Sequence, residues 1–102
     1  MDVVADSKGM CNVGLYNKKL DMVFALTYKK KQLPAFANWQ HWAPGEYVTG
    51  LEPGTNPPIG QNGARQRKQL IHIPPGKSKT YELQMSVLTE KKLISDFVKA
   101  AT

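Results

Sequence analysis

The sequence predicts an all-β protein, an antiparallel β-sandwich with a short C-terminal helix, on three observations. Apolar and polar residues alternate with a period of two in several segments. Gly and Pro residues that favour turns separate those segments. Only residues 90–100 change to helical spacing. At least five strands and one terminal helix are therefore expected, which is typical of a sandwich.

The size of the chain predicts a single domain over residues 1–102. Its 102 residues, of which 41% are apolar, suffice for one hydrophobic core. A second domain of ordinary size does not fit in this length.

The first half of the chain contains the strand with the strongest apolar character, Leu20–Tyr28. Both faces of this segment are apolar, with Met22, Phe24, Leu26 and Tyr28 on one and Val23, Ala25 and Thr27 on the other. This predicts a central strand covered from both sides. Residues 29–32 are expected to form an exposed turn, 33–42 an extended segment, 43–46 a turn, and Tyr47–Glu52 the next strand.

The second half begins with residues 53–63, which are rich in Gly and Pro and predict a loop. Leu70–Ile73 is predicted to be a short strand. In Thr80–Leu88 the residues Tyr81, Leu83, Met85 and Val87 alternate with polar ones, which predicts one buried face and one exposed face. Residues 90–100 are predicted to form an amphipathic helix that lies on the sheet through Leu93, Ile94, Phe97 and Val98.

The chain has a net charge of +6, from 14 Lys and Arg against 8 Asp and Glu. A basic balance raises the question of nucleic acid binding. The basic residues occur in short groups where turns or chain ends are expected, and they do not form one stripe. We therefore favour a solvated basic surface and expect no nucleic acid partner. A basic β-protein that binds nucleic acid or another protein remains the third alternative, and salt-sensitive binding would be its sign.

The sequence also argues against a membrane-spanning, secreted, disulfide-bonded or metal-binding protein. No run of 18 apolar residues is present, so no membrane span is expected, and the first residues lack the pattern of a signal peptide. The single cysteine, Cys11, cannot form an internal disulfide, and no Cys and His spacing suits a metal ion. We expect a cytoplasmic protein that needs no cofactor and no metal.

The best candidate for a functional site lies in residues 38–59. Glu52 is the last residue of a short apolar run that Pro53 ends, so its side chain is expected at the rim of a sheet. Around it are concentrated Trp39, His41, Trp42 and Tyr47. Flat aromatic rings that cover C–H faces, with a few polar groups for hydroxyls, are typical of a sugar site.

The motif Gly50-Leu51-Glu52-Pro53, followed by Asn56-Pro57, resembles the C-terminal segment of aldose 1-epimerases, the galactose mutarotase-like superfamily. The fuller string from Asn38-Trp39-Gln40-His41-Trp42 through Glu52-Pro53 is most similar to an uncharacterised branch of it, and the resemblance covers about residues 12–88. It implies that the chain corresponds to the C-terminal third of a larger sandwich of two antiparallel sheets. It also implies that the general acid, a histidine, lies in an upstream part that this chain lacks.

In this resemblance Glu52 is the catalytic base, because anomerisation needs a base for the anomeric hydroxyl and an acid for the ring oxygen. Carboxylates are ionised at neutral pH and suit the first role. The expected substrate-binding residues are His41, Trp39, Trp42, Asn38 and Arg65. An arginine can hold a sugar carboxylate or phosphate through two hydrogen bonds. The alternative for each aromatic residue is an ordinary core position, and for Arg65 a solvated surface.

Two carbohydrate hypotheses follow. The first is a carbohydrate-active protein of the aldose 1-epimerase type, of which this chain is an incomplete part. Its substrate would be an aldose, either unmodified or carrying a phosphate or an acid group. The second is a non-catalytic carbohydrate-binding β-sandwich module. For the isolated chain we rank binding above catalysis. Because part of a sandwich leaves strand edges unpaired, we also expect a homo-oligomer or a missing N-terminal portion.

Overall fold

The computed structural model describes residues 2–101, which form five strands and two helices. In chain order these are β1 (Met10–Asn17), β2 (Met22–Lys29), β3 (Ala35–Ala43), β4 (Glu46–Gly54), α1 (Gly60–Gln66), β5 (Leu83–Leu88) and α2 (Lys91–Ala101). The strands are antiparallel and form two sheets. The prediction of an all-β, sandwich-like fold with a short C-terminal helix is confirmed.

The first sheet has three strands in the order β1-β2-β5. The central place of β2 was predicted, although the strand begins at Met22 rather than at Leu20. β1 was not among the predicted strands, although its Cys11, Val13 and Leu15 alternate, because Asn12 and Gly14 between them are residue types that are uncommon in strands. Its pairing runs from Met10 opposite Lys29 to Asn17 opposite Met22.

The second sheet is the hairpin of β3 and β4. Pro44 and Gly45 connect the strands, and Gly45 has a φ of +75°, a conformation that glycine adopts without strain. The predicted extended segments 33–42 and 47–52 are confirmed, and pairing continues to Gly54. The bases of the two strands contact the first sheet, while the tip of the hairpin is exposed.

The segment between the hairpin and β5 differs most from the prediction. Residues 53–63 were expected to be a loop throughout, but α1 begins at Gly60. The predicted strand at Leu70–Ile73 is absent from the described chain, and β5 begins at Leu83 rather than at Thr80. Pro74 and Pro75 follow Ile73 at once, and neither can donate a hydrogen bond to a sheet.

Two small clusters of buried residues hold the described chain together. Cys11, Tyr28, Leu33 and Phe36 join the base of the hairpin to the first sheet. On the other side of that sheet, Val23, Ala25 and Ile94 pack together, with Phe97 beside them, so that α2 lies on the sheet as predicted. Of the four residues predicted to face the sheet, however, Leu93 and Val98 are exposed. β2 thus has buried residues on both faces, but each face is covered only along part of its length.

The register also leaves a large apolar surface uncovered. Residues directly opposite each other in an antiparallel pair point to the same side of the sheet. The side that carries Tyr28 therefore also carries Leu15, Met22, Phe24, Leu83, Met85 and Val87, and we call these six residues the open apolar face. All six are exposed, Met85 to 70%. The expected burial of Tyr81, Leu83, Met85 and Val87 is wrong, because no element of residues 2–101 covers them.

Neither of the two helices in residues 2–101 has the length and apolar character needed to cross a membrane.

Candidate functional site

The register of the hairpin divides the candidate residues between its two faces. Side chains alternate along a strand, and Trp39 lies opposite Gly50, His41 opposite Val48, and Ala37 opposite Glu52. Trp39, His41 and Glu52 therefore share one side, which we call the Glu52 face. Asn38 and Trp42 lie on the other side, which we call the inner face because it turns toward the first sheet.

Glu52 stands among small residues. Its neighbours on the Glu52 face are Ala35, Ala37, Gly50 and Gly54, so no other long side chain lies directly beside the carboxylate. The aromatic ring of Trp39 borders this patch, one pair further along the hairpin. The result is an exposed carboxylate among small residues, with Trp39 as the next aromatic residue along the same face, outside the residues that line the cleft at Glu52.

Gly50 allows the observed position of the carboxylate. A Cβ atom at residue 50 would lie 2.8 Å from Oε1 of Glu52, closer than real Cβ contacts come. The side chain of Glu52 is thus folded back over Gly50 along its own strand. Any larger residue at position 50 would force the carboxylate to move.

The other polar group on this face, His41, belongs to a separate cluster. Its ring stacks on Trp39, with ring centroids 6.1 Å apart and an angle of 8° between the planes. Its Nε2 lies 3.5 Å from Oε2 of Glu46, which makes an ion pair when the imidazole is protonated. His41 is four residues further along β3 than the partner of Glu52, a separation of roughly 13 Å at ~3.3 Å per residue. His41 and Glu52 therefore do not reach the two sides of one pyranose ring.

Asn38 and Trp42 do not meet Glu52. Nε1 of Trp42 donates to Oε1 of Gln40 at 3.2 Å, and its ring contacts Tyr47 edge-on, with centroids 5.9 Å apart. These residues border a cleft of about 410 Å³ that also includes Leu15 of the first sheet. The hydroxyl of Thr49 lies 3.3 Å from Oδ1 of Asn38.

Arg65 lies on α1, where it is exposed and its Nη1 donates to Oδ1 of Asn62 at 3.4 Å. It is not among the described residues that line the cleft beside Glu52. Its guanidinium group therefore lies outside that cleft.

The cleft at Glu52 has a volume of about 160 Å³ and is open to solvent. It is bordered by Ala35, Phe36, Ala37, Glu52, Pro53, Gly54, Asn56 and Pro58. Ligand pockets usually enclose at least ~300 Å³, so this cleft forms one wall of a site rather than a whole one. Asn56, Ala35 and Ala37 are not among the site residues that the sequence predicts. The alternation of β3 alone does not place Ala35 and Ala37 beside Glu52, because that requires the register in which Ala35-Phe36-Ala37 pairs with Glu52-Pro53-Gly54.

Asn56 is held at the edge of the cleft by two contacts. Its Nδ2 donates to the carbonyl oxygen of Gln69, and its Oδ1 accepts from the hydroxyl of Thr55 at 2.8 Å. The hydrogen bond to Gln69 ties the chain after β4 to the segment after α1. Within residues 2–101, no three His, Cys, Asp or Glu side chains are grouped to hold a metal ion.

Comparison with known proteins gives one family. The DUF4432 family, described as a domain of unknown function, matches residues 1–87. No curated protein and no solved structure matches the chain. Because the match covers most of the sequence, the chain belongs to the DUF4432 family.

Proposed function

We propose that this chain binds a carbohydrate on the Glu52 face, in a site of the aldose 1-epimerase type with Glu52 as the base. The observation that supports this most is that the exposed carboxylate shares one face with Trp39 and has only the small residues Ala37, Gly50 and Gly54 as its direct neighbours there. An indole ring can lie against the C–H face of a pyranose while the carboxylate accepts a hydrogen bond from a hydroxyl. The resemblance of Gly50-Leu51-Glu52-Pro53 to the aldose 1-epimerases supports the same assignment.

The proposed chemical role of Glu52 follows from the exposure of its side chain and from its carboxylate group. An ionised carboxylate at the anomeric hydroxyl can accept its proton while the C1–O5 bond breaks and an acid protonates the ring oxygen. After rotation about the C1–C2 bond, the ring oxygen gives its proton back to that acid and attacks the other face of C1, and the carboxyl group returns its proton to the C1 oxygen. No cofactor is needed for this reaction. Asn56 borders the same cleft, and we propose that its side-chain amide binds a second sugar hydroxyl.

A second candidate, a carbohydrate-binding module without catalysis, is favoured by one observation. The reaction needs an acid on the opposite side of the sugar, and His41 lies roughly 13 Å away along the strand. For residues 2–101 alone we therefore propose binding, and we propose that catalysis requires an acid from another chain or another segment. The resemblance implies a histidine in this role.

The ligand class we propose is an aldose. Arg65 is the proposed contact for a phosphate or carboxylate on the sugar. Because Arg65 lies on α1, outside the cleft at Glu52, this contact requires that α1 reach toward the cleft or that the ligand extend beyond it. The single free thiol, Cys11, is buried, and a chain without disulfides fits the cytoplasm as the proposed location.

The test of binding uses the two tryptophans, which lie on opposite faces of the hairpin. Glucose, galactose and their 6-phosphates are titrated into the chain, and binding is followed by tryptophan fluorescence and by NMR of the sugar. We expect Trp39→Ala to abolish measurable binding and Trp42→Ala, the matched control, to leave it within about twofold. Equal losses in both variants, or no binding of any sugar by the unmodified chain, would refute the proposal.

The test of catalysis measures exchange between α and β anomers by NMR in the presence of the chain. If the chain accelerates exchange, Glu52→Gln should lower the rate by about 10²-fold with little change in sugar affinity, because the loss lies in the transition state. If sugars bind without acceleration, the binding module is the correct function of this chain. Acceleration that survives Glu52→Gln would show that Glu52 is not the base.

A further inference from the structure

One side of the three-stranded sheet is apolar almost throughout. Eleven residues of β1, β2 and β5 point to the side that carries Tyr28, and Asn17 is the only polar one. No charged residue occurs among them. The hairpin base covers one end of this side through Phe36 and Leu33, while the six residues of the open apolar face lie in solvent.

The surface area of the chain is too large for a folded monomer of its size. A monomer of 11.4 kDa is expected to expose about 5,800 Å², whereas this chain exposes 7993 Å². Its radius of gyration is 16.0 Å, against about 13 Å for a compact domain of this length. The extended segment 67–82 and the open apolar face both contribute to this excess of roughly 2,200 Å².

We propose that the open apolar face is a homodimer interface, on which a second copy of this chain packs its own open apolar face. A stable interface buries about 800 Å² per partner, which is less than half of the excess of roughly 2,200 Å² to which the open apolar face and segment 67–82 both contribute. Two sheets that meet face to face, about 10 Å apart, would bury Met85, Val87 and Phe24 of both copies in one core.

A second copy fits this surface because the surface is free of charge. In a twofold interface a patch meets itself, so every charge in it would face a like charge close to the axis. Each copy has a net charge of +6, but none of that charge lies on the open apolar face. A basic or acidic partner would gain no charge complementarity there.

The inner face of the hairpin extends the same surface. Leu15 of the open apolar face borders one cleft with Trp42 and Tyr47, which are exposed to 70% and 73%. Large aromatic residues are the side chains that most often anchor protein interfaces. These two rings do not reach Glu52, and in the proposed dimer they help to hold the second copy.

The experiment measures the mass of the 102-residue chain by sedimentation over a range of concentrations. We expect a dimer, and we expect Met85→Lys to raise the dissociation constant by at least about 30-fold, the effect of losing one hot-spot contact. Ile73→Lys is the matched control, because Ile73 is also exposed (52%) but lies outside the face, and it should change the constant less than about twofold. Met85 is exposed within one chain, so circular dichroism should show an unchanged fold.

Three results would overturn the proposal. The first is a monomer for the unmodified chain at millimolar concentration. The second is a dimer that Met85→Lys and Val87→Lys leave intact, because the copies would then associate elsewhere. The third is a monomer that binds a different protein through Met85, which would make this face a site for another partner.

Discussion

Among single residues, Gly50 carries the clearest link between sequence and candidate site. It gives the chain the smallest residue next to the proposed base, and the Glu52 side chain occupies the space where a Cβ would be. Glu52 is an exposed side chain with freedom to move, so the requirement for glycine concerns the position of the carboxylate more than the stability of the sheet.

This predicts separate effects of Gly50→Ala on binding and on stability. The new methyl group should displace the Glu52 carboxylate and lower sugar affinity about tenfold. The free energy of unfolding should stay within about 1 kcal/mol or rise, because alanine loses less backbone entropy than glycine. Calorimetric titration and urea unfolding measure the two quantities. Full sugar affinity in Gly50→Ala would mean that the carboxylate position seen here is not the one that binds.

Tyr28 shows what burial does to a titratable group. It is buried opposite Cys11, and desolvation, together with the neighbouring thiol, raises its pKa to about 12. In the unfolded chain a tyrosine ionises near pH 10. Between these values the folded protein holds a proton that the unfolded chain has lost, so the free energy of unfolding falls as the pH rises from about 10 to about 12.

We therefore expect Tyr28→Phe to make stability less sensitive to alkali. Urea unfolding at pH 9 and at pH 11.5 gives a difference for each protein, and that difference should be smaller for Tyr28→Phe. Tyr16→Phe is the control, since Tyr16 is 45% exposed and lies on the other side of the sheet from the open apolar face. Identical alkaline losses in the unmodified chain and in Tyr28→Phe would contradict the assignment.

At the scale of elements, α2 is fixed to the sheet by one close contact. A Cβ at Gly14 would lie 2.9 Å from Cε1 of Phe97 and 2.6 Å from the carbonyl oxygen of Phe24. The absence of a side chain on β1 thus lets the Phe97 ring approach the strand directly. Ile94 completes the contact with Val23 and Ala25.

Two substitutions should test this contact. Phe97→Ala should lower the free energy of unfolding by roughly 2 kcal/mol, less than the 3–5 kcal/mol of a fully buried phenylalanine because the ring is half-buried. Gly14→Ala should cost about 1–3 kcal/mol through overpacking. Gly54→Ala is the matched control, since its Cβ would meet its nearest neighbour at an ordinary 3.6 Å. Losses below ~0.5 kcal/mol in both variants would show that α2 is not docked.

The pattern of apolar and polar residues along the sequence identified some of these elements and missed others. It identified β2, the hairpin and α2, because in each a run of apolar residues follows one period. It failed at Leu70–Ile73, where β-branched residues favour a strand locally but no neighbouring strand pairs with them. It also missed β1, where Cys11, Val13 and Leu15 alternate with Asn12 and Gly14, two residue types that are uncommon in strands.

For the whole molecule, the open apolar face makes stability depend on concentration. If two copies must associate to bury it, unfolding is coupled to dissociation and mass action raises the midpoint Tm. We expect Tm to rise by about 5 °C for a hundredfold increase in protein concentration, given the usual unfolding entropy of a dimer of this size. Met85→Lys should reduce this dependence. A Tm that is constant over that range would indicate that the chain unfolds as a monomer.

The sequence by itself determined the fold class and the hairpin, because periodicity and the Pro and Gly residues of turns act locally. The prediction that the strand ends at Glu52 is wrong, since pairing with β3 continues through Pro53 to Gly54. Tertiary structure decided which candidates share a face: the register of β3 on β4 puts Trp39 and His41 with Glu52, and puts Trp42 and Asn38 on the opposite side. A shift of one residue in that register would change how the faces pair. Whether an apolar strand face is buried was also decided at this level, since Leu83, Met85 and Val87 have the pattern of a core but no described element to cover them. Burial needs a second surface, and the alternation of one strand carries no information about it.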